Sequence, residues 1–210
     1  MEKVNNKIEI YITEESRYLQ VNNITEGHMA GFIKYAAENF SGYTVDFCFK
    51  NGAIVPRDAL SIIGAGILDG DADEMWLFDR GATFKADNVI GINEKNFGEF
   101  AKCYDKKYPG MYWNSERISQ QMSDWAIFAS YNKEELAGYI TMWKSGRAEI
   151  YCLEAQNPEE AQALLSSAIA ATDLDILFMI GQADEQTRLA AESLGFVKKG
   201  EYCSFRIILA

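Results

Sequence analysis

Between Arg147 and Ile180 the chain reads strand, helix, strand, and that run restricts the fold more than any other feature. Arg147-Ala-Glu-Ile-Tyr-Cys-Leu-Glu154 has the β-branched and aromatic content of a strand. Asn157-Pro158 then opens a helix. The asparagine side chain can cap the first turn, and proline suits the first helical position because its missing N–H is not needed there. Ala161, Leu164, Leu165, Ala168 and Ile169 follow at helical spacing. Leu174-Asp-Ile-Leu-Phe-Met-Ile180 is a short, nearly continuous apolar run, as in a central strand buried on both faces. Two strands joined through a helix lie parallel with a right-handed crossover. The chain therefore belongs to the α/β class.

The flanking elements extend this core. Trp125-Ala-Ile-Phe-Ala-Ser-Tyr131 and Leu136-Ala-Gly-Tyr-Ile-Thr-Met-Trp143, joined by the polar Asn132-Lys-Glu-Glu135, predict a β-hairpin. Asn88-Val-Ile-Gly-Ile92 predicts an earlier strand, and Asn96–Tyr104 a short helix that ends near Pro109-Gly110. Downstream, a helix from Ala183 stops at Leu194-Gly195-Phe196, and two short strands between Val197 and Leu209 close the sheet. The order from residue 86 is strand, helical region, hairpin, strand, helix, strand, helix, strand pair.

Residues 1–80 hold a fainter version of the same order. Setting Gly66 on Gly195 gives an offset of 129 and one ungapped register. Val21 then falls on Ile150, Ile24 on Leu153, Asp46 on Asp175, Phe49 on Phe178 and Leu60 on Leu189. The helical set Phe32, Tyr35, Ala36, Phe40 falls on Ala161, Leu164, Leu165, Ile169, and Pro56 can open a second helix. Identities are few, so two generic βαβαβ stretches in chance register give the same match; internal duplication is the preferred reading. It predicts a partial repeat over 1–85 (strand, helix, strand, helix, strand), a spacer near Gly81–Asp87, and a complete domain over 86–210. Half a domain leaves sheet edges and an apolar face uncovered, so it should pack on the full domain or on a second subunit as a homodimer.

Composition narrows the function classes. With 48% hydrophobic and 13% aromatic residues in 210, the chain builds a substantial core. No apolar run approaches the ~20 residues that span a bilayer. The start, Met1-Glu-Lys-Val-Asn-Asn-Lys-Ile8, is polar and of mixed charge, unlike a secretion signal, so the expected location is cytoplasmic. A net charge of −11 argues against nucleic acid and anionic membranes, and mildly favours a cationic substrate such as an amine. Cys48, Cys103, Cys152 and Cys203 are scattered without metal-ligand spacing and His28 is the one histidine, so no metal site is expected.

The element order, the Ala137-Gly138-Tyr139 hairpin step and the Leu194-Gly195-Phe196 stop together resemble the GNAT superfamily of acyl-CoA-dependent N-acyltransferases. The resemblance covers 86–210, with the partial copy before it. It implies a GNAT-like mixed, mostly antiparallel sheet flanked by helices, acetyl-CoA as co-substrate and a small amine as acceptor. The family pairs the pantetheine arm with the backbone of a splayed strand, here the one ending at Glu154.

On that correspondence the cofactor contacts are Leu153, Glu154, Ala155, Gln156, Asn157, Glu160 and Ala161, with Asp184 where the family often carries asparagine. The family's pyrophosphate loop reads Arg/Gln-x-x-Gly-x-Gly/Ala, because glycines let phosphates approach backbone N–H groups at a helix start. Here Glu154-Ala-Gln-Asn-Pro-Glu-Glu160 contains no glycine, Pro158 lacks an N–H, and Glu159 and Glu160 bring negative charge. An ordinary capped helix start explains these residues equally well. In the first repeat, Thr25-Glu-Gly-His-Met-Ala-Gly31 comes closer to the pattern through Gly27 and Gly31, with His28 beside them, and a simple turn explains it too.

The family's proton-donating tyrosine falls on Ala191, and on Ile62 in the first repeat; neither donates a proton. The candidate catalytic residues are then Glu154, as acceptor of the amine proton, and Tyr202, as a hydroxyl near the thiolate, with Tyr151 as its alternative. Tyr108-Pro-Gly-Met-Tyr-Trp113 either lines the acceptor pocket or covers the core. Two functions follow: an acyl-CoA-dependent N-acyltransferase, or a catalytically lapsed GNAT scaffold that binds a small ligand or a partner chain.

Overall fold

The computed structural model describes residues 8–14, 16–22, 24, 26–50, 67–78, 89–181 and 183–209. The chain divides into two compact units, one of residues 1–73 with 200–210 and one of residues 74–199.

In the first unit, β1 (Glu9–Thr13) pairs antiparallel with β2 (Tyr18–Asn22). Helix α1 (Glu26–Asn39) crosses to β3 (Thr44–Lys50), which lies parallel to β2 from Tyr18↔Thr44 to Asn22↔Cys48. The last part of the chain returns antiparallel to β3, from Tyr202↔Lys50 to Ile208↔Thr44. Period-2 alternation puts Leu19, Val21, Val45, Phe47 and Ile207 on one face, where they pack under Met29, Ile33 and Ala36 of α1. On Asp46, which faces the other way, Oδ2 accepts hydrogen bonds from Tyr18 and, at 3.3 Å, from Arg206 Nε. The predicted strand–helix–strand is therefore present. Strand β1 has no counterpart in the sequence prediction.

Helix α1 begins at Glu26, so Gly27, His28 and Gly31 belong to its first turns and not to a loop. The second helix predicted around Pro56 and Leu60, together with Ile62, Gly66 and the spacer at 81–87, lies outside the described residues. Strand β4 (Ile67–Phe78) follows where a strand was predicted.

The second unit opens with β5 (Val89–Gly91), α2 (Phe97–Lys107) and α3 (Ser115–Gln120). Then come the hairpin β6 (Trp125–Asn132) and β7 (Glu135–Trp143), β8 (Ala148–Glu154), α4 (Pro158–Ala170), β9 (Ile176–Gly181) and α5 (Glu185–Ser193). The sheet runs β9-β8-β7-β6-β5, antiparallel except for the β8–β9 pair. One face packs on α4 and α5 through Ile140, Met142, Ile150, Leu164, Leu165, Ile176 and Ala191. Each of the Ile, Leu and Met side chains contributes about 1.5–3 kcal/mol on full burial. The other face packs on α2 and α3 through Phe100, Tyr104, Ile118, Trp125 and Tyr139.

Local signals act as read. The Asn157 side chain accepts the Glu160 N–H at 2.9 Å, and Pro158 opens α4. Gly195, at φ +92, lets the chain leave α5 in a left-handed turn. The tail differs from prediction: β10 (Phe196–Ile208) is one strand that continues through Gly200, not two. No helix among the described residues is long and apolar enough to cross a membrane, and no group of His, Cys, Asp and Glu there is placed to hold a metal ion.

Candidate functional site

The site grows from one extra residue in β8. On β7, Met142 faces Ile150, yet the adjacent Thr141 faces Cys152, so Tyr151 is a β-bulge. A bulge bends its strand and increases the local twist. The parallel ladder with β9 stops at that point: Ala148↔Ile176, Glu149↔Leu177 and Ile150↔Phe178 are paired. β8 continues to Glu154 and β9 to Gly181. Among the described residues, Cys152, Leu153 and Glu154 keep ladder partners on β7 alone. The two parallel strands therefore part as a wedge, and over 151–154 β8 has no ladder partner on its β9 side among the described residues. Gln186 Nε2 of α5 reaches the Ala155 carbonyl at 3.4 Å across its mouth.

Glu154 ends β8 at this wedge. One carboxylate oxygen accepts the Tyr108 hydroxyl, and Lys107 Nζ lies 3.3 Å from the other. Both partners come from the C-terminal end of α2, where the Tyr108 N–H caps the helix on Tyr104 O at 2.9 Å. Burial, reinforced by the bond to Glu154, pushes the Tyr108 phenol far above its ordinary range. Tyr104 and Tyr139 are also raised, mainly by burial, and their rings sit 6.1 Å apart. The Tyr139 hydroxyl is buried without a hydrogen-bond partner. Burial pushes the Cys152 thiol up to about 12, so it stays protonated beside Thr141 Oγ1 at 3.1 Å. This face of the wedge thus offers one carboxylate among neutral phenols.

The loop after Glu154 is closed on itself. Glu160 Oε2 accepts the Gln156 N–H at 2.5 Å, and Oε1 accepts the Ser130 hydroxyl of β6. A Cβ on Gly138 of β7 would lie 3.0 Å from Glu160 Cδ and 2.6 Å from the Glu154 carbonyl oxygen, so glycine makes room for the folded-in carboxylate. Ala161 N bonds to Asn157 O at 3.1 Å, as the first turn of α4 requires.

The structure brings Leu153, Glu154, Ala155, Gln156, Asn157, Glu160 and Ala161 into one strand end and helix start. Asp184 is the N-cap of α5, accepting Thr187 N–H at 3.0 Å. Tyr202 pairs with Lys50 in the first unit's sheet, and its side chain is outside the described set. Tyr151 packs against Trp125 at 5.3 Å and Trp113 at 6.5 Å, with its phenol raised to about 12 by burial. Ala191 is fully buried in the core. In the 108–113 segment, Trp113 covers the core by stacking on Trp143 at 5.4 Å, and the Tyr108 hydroxyl donates to Glu154. That Lys107, Ser130 and Tyr139 belong beside Glu154 and Glu160 was not read from the sequence, since nothing local links residues so far apart along the chain.

No family model matches this sequence, and no curated protein matches it. Solved structures do. A functionally unknown conserved protein from Staphylococcus epidermidis superposes with TM-score 0.66 at 13% identity, over 98% of this chain and 92% of its own. A GNAT-family protein from Novosphingobium aromaticivorans, described as a putative acetyltransferase, gives 0.62 at 11%, over 92% and 84%. A tandem GNAT protein from the clavulanic acid pathway, solved without AcCoA, gives 0.58 at 8%, over 95% and 77%. At these identities the likeness speaks for architecture. Helix-flanked mixed sheets and GNAT neighbours that include a tandem protein together make this a GNAT fold.

Proposed function

We propose that the unit of residues 74–199 is an N-acyltransferase, moving an acyl group, in the simplest case acetyl, from a thioester such as acetyl-CoA to a small amine. The observation that supports it is the wedge at Tyr151. Backbone groups of residues 151–154 can hold the amide-bearing arm of a thioester through hydrogen bonds that require no particular side chains. The amine arrives as an ammonium ion, attracted by Glu154. It gives one proton to that carboxylate, directly or through water, after exchange with the Tyr108 hydrogen bond. The amine nitrogen then attacks the thioester carbonyl, the C–S bond breaks, and the second amine proton leaves with the thiolate as the free thiol. Lys107 balances the charge of Glu154 between turnovers.

One observation favours a second reading, a GNAT scaffold without catalysis: Glu160, Pro158 and Ala191 stand where the family's phosphate loop and proton donor would be. Calorimetry with acetyl-CoA up to millimolar concentration, followed by mass spectrometry of a panel of primary amines, separates the two. Binding together with acylated amine, lost in Glu154→Gln while binding remains, is the expected outcome. Absence of binding at millimolar donor leaves the scaffold. The same proposal takes residues 1–85 as a degenerate partial copy of 86–210.

A further inference from the structure

We propose that Glu160 is a built-in anion that fills the phosphate position of this fold, so the acyl donor is recognised by its pantetheine arm and the nucleotide diphosphate adds no affinity. This rests on the acyl-transfer reading for the identity of the donor, though not for the behaviour of the anion position.

A glutamate at the third position of a helix commonly reaches back to cap the first turn. Such a cap stands on the surface and a phosphate can displace it. Glu160 is held more firmly. Its carboxylate takes the Gln156 N–H at 2.5 Å on one oxygen and the Ser130 hydroxyl on the other, and Ser130 is itself buried in β6. The Ser130 hydroxyl also lies 3.3 Å from the Gly138 carbonyl. Gly138 leaves space for the carboxylate that any Cβ would take away. Three elements of the sheet and helix thus converge on one side-chain anion. Two neighbouring first-turn donors are committed, the Glu160 N–H to the Asn157 side chain and the Ala161 N–H to the Asn157 carbonyl, and Pro158 has none. A pyrophosphate placed there would meet a fixed negative charge and would lack the Gln156, Glu160 and Ala161 N–H groups, which are already bonded. The wedge, a few residues upstream, is unaffected, because its open edge is backbone.

The test compares acetyl-CoA with acetyl-pantetheine by calorimetry on the full chain, and titrates inorganic pyrophosphate separately. Wild type should bind the two donors within about three-fold of each other and bind no pyrophosphate at millimolar concentration. Glu160→Ala should tighten acetyl-CoA about ten-fold, leave acetyl-pantetheine within about three-fold, and gain pyrophosphate binding. Tryptophan fluorescence checks that the variant is folded, and the wild-type comparison stands even if it is not. A wild-type preference for acetyl-CoA of about ten-fold or more overturns the proposal, as does an unchanged pyrophosphate response in folded Glu160→Ala. If wild type binds neither donor, the acyl-transfer reading fails, and the pyrophosphate arm still decides whether Glu160 occupies an anion position.

Discussion

Gly138→Ala tests the packing under the site most directly. The added Cβ would sit 2.6 Å from the Glu154 carbonyl oxygen, and ordinary contact begins at 3.4 Å, so 3.4 minus 2.6, or 0.8 Å, must be found. That oxygen belongs to a strand pinned by Tyr139↔Glu154 and Ile140↔Leu153, so it cannot swing aside as a side-chain tip would. Overpacking of this kind costs about 1–3 kcal/mol. The lost flexibility of glycine in the unfolded chain returns about 0.4–1 kcal/mol. The net loss should be about 1–2 kcal/mol, a fall of about 2–8 °C in the melting temperature at this size. Trp113, Trp125 and Trp143 pack together in the unit of residues 74–199, so a change in tryptophan fluorescence reports its unfolding. Gly98→Ala is the control: nothing lies within 4 Å of its Cβ, and in helix α2 the change should gain about 0.5–1 kcal/mol. Because Glu160 Cδ is the second contact, removing that side chain should relieve part of the strain, with a coupling of about 0.5 kcal/mol or more in the double mutant. A Gly138→Ala protein as stable as Gly98→Ala would refute this account of the β7–β8–α4 junction.

Two further measurements address single side chains. The buried Tyr139 hydroxyl lacks a partner, so Tyr139→Phe should leave stability unchanged or raise it by up to about 1 kcal/mol in urea unfolding. A loss of about 1 kcal/mol or more would mean that the hydroxyl is bonded. Burial raises Glu149 above its ordinary 4.5, with Arg147 opposing the shift. An acid raised on folding is a cost when ionised, one that appears as pH rises through 4.5 and is complete above the folded value. Glu149→Gln should therefore stabilise the unit at pH 7 and make no difference at pH 4; equal effects at both pH values would contradict the assignment.

What was legible in the sequence is what local chemistry decides. The hairpin, the Asn157 cap, Pro158 at the start of α4 and the helical apolar set through Ile169 depend on residues within a few positions of each other. So does the left-handed turn at Gly195. The contacts that make the site join residues far apart, Tyr108 with Glu154 and Ser130 with Glu160, and no spacing rule reaches across 46 or 30 positions. The two-strand reading of the tail failed because β10 runs unbroken from Phe196 to Ile208, and no local residue pattern decides whether a strand is interrupted. The Tyr151 bulge was hidden for another reason: register is a property of two strands, and either sequence alone is silent about it.

Setting the two parallel strand–helix–strand units side by side shows why motif and geometry part company here. In the first, β2 is spent entirely on its ladder, Tyr18 to Asn22 against Thr44 to Cys48, and its pairing with β1 holds one register throughout. In the second, three of the seven residues of β8 pair with β9, and the bulge turns the rest away. Under the 129-residue offset Asn22 falls on Tyr151, so β2 ends where the bulge would begin. The offset also places Val45 on Leu174, yet Leu19 faces Val45 while Ala148 faces Ile176, a difference of two residues in register. The glycine-bearing segment at Gly27 and Gly31 therefore follows a strand with no wedge, and the glycine-free segment at 154–160 follows the strand that has one. On the acyl-transfer proposal, a thioester arm needs the divergent edge before it needs the phosphate loop, because backbone pairing at that edge is what would hold it. On that proposal, residues 151–154, with Glu154 at their end, are the segment that would receive the acyl donor.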